Sequence, residues 1–483
     1  MSDPTMHFFK EVISELMGLV GPEYVVTDLA DRTIYGVDYY WVPRMLVDRA
    51  QLPPLPDLIV QPGTVEEVSA VVRLANIHHI PVTPWGGGSG SQGGVMAVYG
   101  GILLDLKRLN QIIAIDDFSG TVTAQAGING FDLECALNSA GWTMPHYPAS
   151  VHSATLGGYL ACRGSGTVST KYGKAEDMVL SMQVVLPKGD IIRTLQVPNH
   201  AAGPGILQLF VGAEGSFGII TEATMRLEKL PEVRRFRSFL FPDMHSGLEA
   251  GRRIMLDRLQ PLVIRLYDER STIKTVKHVL NQDVEKGSYM VIGFDGWEEI
   301  VAAQERRACG ICAGLGAMDL GEEAGRHWWE HRYDFYFPPK TLDLPWMFGT
   351  LDTVATFDKL EKLYWAKREA LESQYAAWKL FYYAHFSHWY PWGVMAYDRF
   401  IIENPPSDPQ EALLLHNQVW DLAVKVNLEY GGVINEHHGV GLKLARHVRL
   451  QYGPAFQVLE GLKQTLDPYN LMNPGKMGFG PPL

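Results

Sequence analysis

A chain of 483 residues is too long for one ordinary hydrophobic core and indicates two or three domains. With 46% apolar and 20% charged residues it has the composition of a globular protein, and its net charge of −12 argues against a general nucleic-acid binder, whose phosphate contacts need a basic face. The sequence has no secretory signal pattern and no apolar run as long as a membrane span, so we predict a soluble, cytoplasmic protein.

Four cysteines in a chain of this length do not make a disulfide framework. Cys309 and Cys312 have the spacing of a redox or zinc pair, but no second pair accompanies them and their flanks have a helical pattern. We therefore predict that these cysteines are structural.

The first elements alternate between helix and strand. In chain order the predicted elements are a helix over residues 6–20, a strand over 57–60, a helix over 65–78 and a strand over 80–82. Thr64 and Glu67 have the spacing of a capping box at the start of the second helix.

A glycine-rich stretch over residues 86–94 follows the strand over 80–82. Glycine permits positive φ and close backbone approach, so successive N–H groups can line a concave anion site. Gly88, Gly90 and Gly93 have the spacing of the Rossmann dinucleotide-binding fingerprint. That fingerprint requires a helix that begins at its third glycine, whereas the residues after Gly93 have the pattern of a turn and a strand. We predict a strand–glycine loop–strand that holds a diphosphate; the alternative is a solvated linker.

The rest of the chain predicts a second α+β domain and a returning tail. The remaining predicted elements are strands over 112–115 and 121–124, a helix over 130–141, a strand pair over 178–186 and 191–195, strands starting at 238 and 289, a helix over 360–379, a strand over 381–390 and a helix over 457–466. We predict a first domain over residues 1–235, with its core near 54–230, a second, substrate-binding domain over 236–445, and a segment over 446–483 that completes the first domain.

Two more glycine and hydroxyl loops lie in the first domain, Thr-Leu-Gly-Gly at residues 155–158 and Gly-Ala-Glu-Gly-Ser-Phe-Gly at 212–218, and the tail carries Asn-Pro-Gly-Lys at 473–476. Three such loops in one domain indicate a large planar ligand that bears a diphosphate. In order and spacing these motifs resemble the vanillyl-alcohol oxidase and p-cresol methylhydroxylase (PCMH) family of FAD enzymes.

Within that family, four segments resemble the alkyldihydroxyacetonephosphate synthases and the FAD-linked 2-hydroxyacid dehydrogenases of bacteria. They are Thr-Leu-Gly-Gly-Tyr-Leu-Ala-Cys-Arg-Gly-Ser-Gly at 155–166, Ile-Arg-Leu-Tyr-Asp at 264–268, Ser-His-Trp-Tyr-Pro-Trp-Gly at 387–393 and His-His-Gly-Val-Gly at 437–441. The resemblance implies an α+β, two-domain fold with a PCMH-type FAD-binding domain and an α+β cap domain.

The resemblance implies FAD as the cofactor. The residues that it places along FAD are Trp85, Gly86, Gly87, Gly88, Ser89, Gly90, Ser91, Pro148, Ser150, Ser153, Thr155, Gly157, Gly158, Arg163, Glu214, Gly218, Ile220, Asn473 and Lys476. Covalent attachment in the family often uses a histidine of the first glycine loop. Because residues 80–94 contain no histidine, we expect non-covalent FAD.

The resemblance also implies a catalytic set in the second domain. Arg265 matches an arginine of the synthase pattern and is expected to hold an anionic group by a two-pronged hydrogen bond. Tyr390 matches the acid–base tyrosine, and His437 and His438 match two of three consecutive histidines. Arg332, between aromatic residues, is a second candidate for substrate binding.

The first of those three histidines is Glu436 in this chain, which changes the charge beside the flavin and argues against ether-lipid synthesis. Glu436 and His437, with His385 or His388, also resemble metal-binding residues of related 2-hydroxyacid dehydrogenases. Residues three apart on a strand point to opposite faces, so we predict no metal and assign His388 and Glu436 to substrate binding.

We expect an FAD-dependent oxidoreductase that oxidises a hydroxyl-bearing small molecule, a 2-hydroxy acid or an aromatic or hydrophobic alcohol, by hydride transfer to flavin N5. Its expected partners are the substrate and an electron acceptor, oxygen or a redox carrier, and a homodimer stays open. Three alternatives also stay open: a synthase-like FAD transferase, an oxidase of para-substituted phenols, and a non-catalytic flavin-binding module.

Overall fold

The computed structural model describes residues 4–277, 284–334 and 344–480. Its strands are β1 (Val25–Val26), β2 (Leu58–Val60), β3 (Val82–Trp85), β4 (Ile102–Asp105), β5 (Ile112–Asp116), β6 (Thr121–Gln125), β7 (Trp142–Thr143), β8 (Val179–Val185), β9 (Ile191–Arg193), β10 (Ile219–Arg226), β11 (Glu228–Lys229), β12 (Val233–Phe241), β13 (Val263–Tyr267), β14 (Ser288–Gly296), β15 (Met318–Leu320), β16 (Met347–Thr350), β17 (Thr353–Thr356), β18 (Phe381–Tyr390) and β19 (Gly393–Ile402). Its helices are α1 (Pro4–Val20), α2 (Leu29–Ile34), α3 (Trp41–Asp48), α4 (Val65–Ile77), α5 (Gly130–Ser139), α6 (Leu156–Ala161), α7 (Ser169–Tyr172), α8 (Ala175–Met178), α9 (Leu207–Phe210), α10 (Met244–Leu256), α11 (Glu269–Ser271), α12 (Glu298–Gly314), α13 (Gly321–Glu330), α14 (Phe357–Gln374), α15 (Pro409–Glu429), α16 (Gly441–Ala445), α17 (Val448–Tyr452) and α18 (Phe456–Leu466).

The glycine-rich stretch connects two buried strands, as the sequence predicts. β3 and β4 run parallel and adjacent in a four-stranded sheet of order β1-β2-β4-β3. Parallel neighbours are usually joined by a crossover helix, but here residues 86–101 form an irregular loop without a helix. The loop is therefore part of the wall of the domain. Because no helix begins at Gly93, the loop is not a Rossmann dinucleotide-binding fingerprint.

Helix α4 begins where the sequence places it, but its capping box is only half formed. The Thr64 hydroxyl accepts a hydrogen bond of 3.1 Å from the Glu67 backbone N–H, which satisfies one donor of the first turn. The Glu67 carboxylate accepts instead from the Gly63 N–H, at 2.7 Å, one residue before the expected Thr64. Both contacts fix the start of the helix that covers the parallel sheet.

A second sheet completes the first part of the chain. It is five-stranded and antiparallel, with the order β5-β6-β10-β8-β9, and it includes the predicted hairpin of β8 and β9. The tail then returns to β3, because the Val82 N–H donates to the Leu471 carbonyl and the Asn473 N–H donates to the Val82 carbonyl, both at 2.8 Å. The predicted domain boundaries at residues 235 and 445 stay predictions.

The C-terminal half of the chain is built on a large antiparallel sheet of order β15-β12-β14-β13-β18-β19-β16, with β17 also paired to β19. Alternate residues of a strand share one face. Tyr267 pairs with His385, and His385 pairs with Tyr397, so these side chains lie in one row. Arg265 on β13 and Arg399 on β19 lie two positions from that row and on the same face.

Cys309 and Cys312 lie on α12, as their helical flanks predict, and none of the four cysteines forms a disulfide. The helix predicted over 360–379 is shorter, since α14 ends at Gln374 and a 3₁₀ turn follows. Among the described residues, every helix is too short or too polar to cross a bilayer. The cytoplasmic location stays a prediction.

Gly87 is the position where the loop after β3 approaches its neighbour most closely. A Cβ atom at Gly87 would lie 1.8 Å from the Ser153 carbonyl oxygen, which is backbone and cannot swing away. We predict that Gly87→Ala lowers the free energy of unfolding by about 1–3 kcal/mol through overpacking, measured by thermal or denaturant unfolding. Gly205→Ala is the control, because a Cβ there meets nothing within 4 Å; equal stability of the two variants would contradict the close approach.

Candidate active site

A cavity of about 320 Å³ lies between two parts of the chain. One is the glycine-rich wall, formed by the loop after β3 and the segment over residues 148–158, and the other is the face of the large sheet that carries Arg265 and Tyr397. The predicted cofactor residues that line it are Trp85, Gly86, Gly87, Gly88, Ser89, Gly90, Ser91, Pro148, Ser150, Thr155, Gly157, Gly158, Glu214, Gly218, Ile220 and Asn473. The predicted substrate and catalytic residues that line it are Arg265, Arg332, His388, His437 and His438. One cavity thus unites most of the residues that the sequence singled out.

The wall fits the expected FAD. A Cβ atom at Gly90 would project into open space, and one at Gly158 would meet only the Thr155 hydroxyl oxygen within 4 Å. Glycine at both positions therefore leaves the backbone exposed to a ligand. The Ser91 hydroxyl is buried without a partner among the described residues, as expected of a group that awaits a polar ligand.

Glu214 fastens the turn over residues 436–441 to this wall. Its carboxylate accepts hydrogen bonds from the Val440 N–H at 2.7 Å and the Gly441 N–H at 2.8 Å. A Cβ at Gly439, where φ is 81°, would lie 2.1 Å from a Glu214 carboxylate oxygen, so this contact requires glycine. Burial raises the pKa of Glu214 to about 7, and the two backbone donors oppose that rise.

Three predicted cofactor residues do not line the cavity. The Arg163 guanidinium pairs with Glu176, with half of the arginine side chain exposed, and its assignment to the cofactor stays a prediction. Ser153 lies behind the wall and supports it through the carbonyl contact with the Gly87 position. The Lys476 ammonium is buried behind the loop and donates to the Met96 carbonyl at 2.8 Å.

Asp352 is buried at the end of β16 and organises the histidines of the 436–441 turn. One carboxylate oxygen lies 2.6 Å from His438 Nδ1, and the other accepts the Glu436 N–H at 3.0 Å and the His437 N–H at 3.3 Å. Burial alone would raise the pKa of Asp352, but His438 and His437 hold it far below its ordinary value. Asp352 is therefore ionised and fixes the His438 ring through Nδ1.

Tyr397 extends this pair into the cavity. Its hydroxyl lies 3.4 Å from His438 Nε2, and its ring stacks on His385 at a centroid distance of 4.6 Å. A tyrosine hydroxyl, an imidazole and a buried carboxylate thus follow one another in a row. Such a row can accept a proton from a substrate hydroxyl at one end and stabilise the imidazolium at the other.

Glu436 is the centre of a second polar network. It accepts from the Tyr390 hydroxyl and from the Ser165 hydroxyl at 3.3 Å, and His388 Nδ1 lies 3.1 Å from its carboxylate. The Lys174 ammonium lies 3.4 Å from the carboxylate and donates to the Glu436 carbonyl at 2.7 Å. Although burial raises it, the pKa of Glu436 is held well below its ordinary value, chiefly by Lys174 and His388.

Tyr390 lies on the far side of Glu436 and is not among the residues that line the cavity. Its ring stacks on Trp392 at 5.1 Å, and Trp392 is 52% exposed. Burial and the Glu436 charge raise the pKa of Tyr390 far above its ordinary value. The acid–base role expected for Tyr390 stays a prediction, and here it would act through Glu436.

A bulge in β18 changes the expected arrangement of His385 and His388. The pairing register shifts between Ser387 and Trp389, and His388 takes a φ of 50°. The simple alternation that would separate the two histidines therefore fails at His388, whose side chain reaches Glu436 and the cavity. His385 remains in the row with Tyr397, where burial holds its pKa well below its ordinary value.

The same residues form two groups with ligand atoms close enough for a metal ion. The groups are Asp352, His437 and His438, and His388, Glu436 and His437, with atoms within 4.8 Å of one another. Asp352 already pairs with His438, and the Lys174 ammonium already lies beside Glu436. Protein groups thus already contact both carboxylates, and the expectation that no metal binds here stays a prediction.

Three arginines bring positive charge to the cavity. Arg265 lies over the Trp328 ring at 5.4 Å, and Arg399 over the Tyr397 ring at 4.9 Å. Arg332 lies over the Trp329 ring at 3.8 Å and over Tyr333 at 4.3 Å. Stacking on an aromatic face orients a guanidinium without neutralising its charge.

Four residues of the cavity or its support were missed by the sequence analysis: Asp352, Tyr397, Arg399 and His146. His146 lines the cavity with neither ring nitrogen partnered among the described residues, and burial lowers its pKa to about 3. It is therefore neutral at neutral pH and offers a hydrogen bond to a ligand. His146 stands two residues before Pro148, the nearest signal in the sequence.

Comparison with known proteins adds relatives along nearly the whole chain. Alkyldihydroxyacetonephosphate synthase of Trypanosoma brucei brucei is 29% identical, covering 97% of this chain and 81% of that protein. A probable mitochondrial D-lactate dehydrogenase of Danio rerio is 28% identical, covering 97% and 92%. The crystal structure of p-cresol methylhydroxylase with substrate bound superposes with a TM-score of 0.80 at 20% identity, over 97% of this chain and 96% of that one, so it shows the fold alone.

Two family models match the chain in the order of its two halves. The FAD binding domain matches residues 56–195, and the C-terminal domain of FAD linked oxidases matches residues 230–477. The fold is the two-domain, PCMH-type FAD-binding fold, as the sequence predicts, and the cofactor is FAD. Because the second model covers more than half of its length, this chain belongs to the FAD-linked oxidases and is an FAD-dependent enzyme.

Proposed function

We propose that this enzyme oxidises an anionic hydroxy compound, with a 2-hydroxy acid as the first candidate class. The observation that carries the proposal is the row of Tyr397, His438 and Asp352, which lies on the same side of the cavity as Arg265 and Arg399. Oxidation of a hydroxyl needs a proton acceptor beside it, and a 2-hydroxy acid needs a cation beside its carboxylate. This side of the cavity offers both.

The chain itself handles the proton. When bound, FAD supplies the acceptor for the two electrons and the hydrogen that leave the substrate carbon. Tyr397 takes the hydroxyl proton of the substrate and passes its own to His438 Nε2, 3.4 Å away. Asp352, 2.6 Å from Nδ1, stabilises the imidazolium that results. A base positioned in this way contributes about 10²–10⁴-fold to the rate.

The arginines orient the substrate. In the proposal, Arg265 and Arg399 hold the carboxylate next to the reacting carbon, since both line the cavity on the face that carries Tyr397. A planar guanidinium binds a carboxylate through two parallel hydrogen bonds, which fixes its orientation as well as its position. His388, also in the cavity wall, is positioned by Glu436 and keeps its role as a proposed substrate contact.

A synthase-like transfer reaction is the second candidate, because a synthase is among the relatives that span nearly the whole chain. It would exchange an acyl for an alkyl group without a net electron acceptor. Against it stands Glu436, a carboxylate paired with Lys174 where the synthase pattern has a histidine. An oxidase of para-substituted phenols is supported only by the shared fold.

We predict that a 2-hydroxy acid bleaches the bound flavin under anaerobic conditions, because the cavity supplies the base and the carboxylate anchor. The measurement is the visible spectrum after mixing with a panel of 2-hydroxy acids, long-chain alcohols and para-alkylphenols. Product formation from a long-chain alcohol and an acylated dihydroxyacetone phosphate, without bleaching, would favour the transferase. Absence of bleaching by every hydroxy acid would overturn the proposed function.

We predict that Tyr397→Phe slows flavin reduction by about 100-fold or more, because the substrate hydroxyl loses its proton acceptor while the ring stack remains. Asp352→Asn should slow it as well, since His438 loses the charge that stabilises its protonated form. Single-turnover mixing measures both rates. Tyr430→Phe is the control, because that tyrosine is 42% exposed; an unchanged rate in Tyr397→Phe would remove Tyr397 from the mechanism.

We predict that acid precipitation of the purified protein releases its flavin into the supernatant, because residues 80–94 hold no histidine to attach it. A yellow pellet would instead indicate a covalent link. The histidines that line the cavity, His146, His388, His437 and His438, would then be the positions to examine by peptide mapping.

A further inference from the structure

Arg332 is a cation in the cavity wall that no carboxylate of the described residues neutralises. Nη1 donates to the Trp329 carbonyl at 2.6 Å, and Nε is buried without a partner among the described residues. Burial lowers the pKa of this guanidinium, and the nearby Arg234 acts in the same direction. Within the described part of the chain, no carboxylate lies within ion-pair distance of Arg332. Asp334, two residues away, pairs with His331 at 2.9 Å.

The surroundings of Arg332 contain more cations than carboxylates. Arg234 lies over the same Trp329 ring at 5.6 Å, and its partner is Asp295, at 3.4 Å. Asp295 also pairs with Lys171, at 2.6 Å, and accepts from the Tyr172 hydroxyl, at 2.9 Å. Asp295 is thus already shared by two cations, and Glu134, another carboxylate nearby, accepts hydrogen bonds from the Thr143 and Tyr147 hydroxyls. Arg332 is a third cation in this region. A buried charge without a partner is costly, so its retention points to a ligand that supplies the missing anion.

Arg332 and Arg265 are held at different places. Their tryptophans are consecutive on α13, and consecutive helical residues point about 100° apart. Trp328, beneath Arg265, donates to the Tyr267 hydroxyl of the large sheet at 2.9 Å. Trp329, beneath Arg332, stacks on Phe236 at 4.7 Å and meets Tyr147 of the FAD-binding half edge-on at 6.4 Å.

We propose that the substrate carries two anionic groups, the first held by Arg265 and Arg399 and the second, a carboxylate or a phosphate monoester, held by Arg332. This inference rests on the proposed function, because it assigns a second group to the same substrate. Arg332 is then the residue that selects dianionic over monoanionic hydroxy acids. Its stacking on Trp329 and Tyr333 fixes the guanidinium before the ligand arrives, which lowers the entropic cost of binding.

Substrate pairs that differ in one anionic group test the proposal. 2-Hydroxyglutarate and 2-hydroxyvalerate have the same carbon chain, and one ends in a carboxylate where the other ends in a methyl group. 3-Phosphoglycerate and glycerate form the corresponding pair for a phosphate. In one of the two pairs, we expect kcat/KM to be higher for the member with two anionic groups than for the member with one. The pair that shows this preference identifies the second group as a carboxylate or a phosphate. A wild-type enzyme that uses both members of each pair equally would overturn the proposal.

Replacing Arg332 should remove that preference. We expect Arg332→Met to lower kcat/KM for the favoured dianion by about 100-fold and to leave the monoanion within about threefold of wild type, because only one of the two groups loses its partner. Arg326→Met is the matched control on α13, the helix that ends two residues before Arg332, since the Arg326 side chain is 60% exposed and pairs with Glu323. An equal loss on both members of a pair would make Arg332 structural and overturn its assignment.

Thermal unfolding tests the same assignment without turnover. Because Arg332 is a partly buried cation with no carboxylate partner among the described residues, we expect Arg332→Met to unfold at a higher temperature than wild type in the absence of ligand, while Arg326→Met unfolds near the wild-type temperature. 2-Oxoglutarate, the oxidation product of 2-hydroxyglutarate, should raise the unfolding temperature of wild type more than 2-oxovalerate does. This difference should be absent in Arg332→Met.

The two proposals fail in different ways. If no hydroxy acid reduces the flavin but a dianion still stabilises wild type and not Arg332→Met, the oxidation is wrong and the anion site stands. If hydroxy acids reduce the flavin and stabilisation is equal for monoanions and dianions, or unchanged in Arg332→Met, the second anionic group is wrong and the oxidation stands.

Discussion

The active site depends on two buried carboxylates that hold one turn. Glu214, on the FAD-binding side, accepts the N–H groups of Val440 and Gly441, and Asp352, at the end of β16, accepts those of Glu436 and His437. The turn between these contacts carries His437 and His438 into the cavity. Neither half of the chain supplies the site alone, since one carboxylate belongs to each half. The turn therefore connects the cofactor wall to the cap sheet across the candidate active site.

This arrangement explains why glycine is required at Gly439, where a side chain would meet the Glu214 carboxylate. It also explains the unusual backbone of the residues around the cavity. Glu214, His388 and Asn473 all have positive φ, with values of 49°, 50° and 44°. Such conformations cost free energy and persist where the surrounding contacts impose them, which is common at functional sites. Here the contacts are the hydrogen bonds of Glu214, the Glu436 contact of His388 and the two carbonyls that the Asn473 amide binds.

The cofactor wall could be predicted from sequence because glycine marks it directly. A run of glycines between two apolar strands has few structural explanations, and the loop after β3 has the predicted form. No comparable sequence pattern marks the residues on the substrate side of the cavity. Every residue of β19 is buried, so alternation of polar and apolar residues could not reveal that Tyr397 and Arg399 share the cavity face. Tyr390 is assigned from the family resemblance, and its acid–base role stays a prediction. The bulge that redirects His388 has no signature in the sequence.

The charges of the site divide into two kinds, and the division favours the proposed chemistry. Burial lowers the pKa of His146 to about 3 and that of His437 to about 4, so both rings are neutral at neutral pH. The fixed positive charge of the cavity then resides on arginines, which hold anions and do not exchange protons. The neutral imidazoles remain able to accept hydrogen bonds or protons. Glu436 adds little net charge to the site, because its carboxylate is paired with Lys174. A histidine in its place would leave Lys174 without that carboxylate and add to the positive charge beside the flavin. The Glu436–Lys174 pair thus distinguishes this cavity from the synthase pattern, and it keeps a balanced charge at the position where that pattern has a histidine.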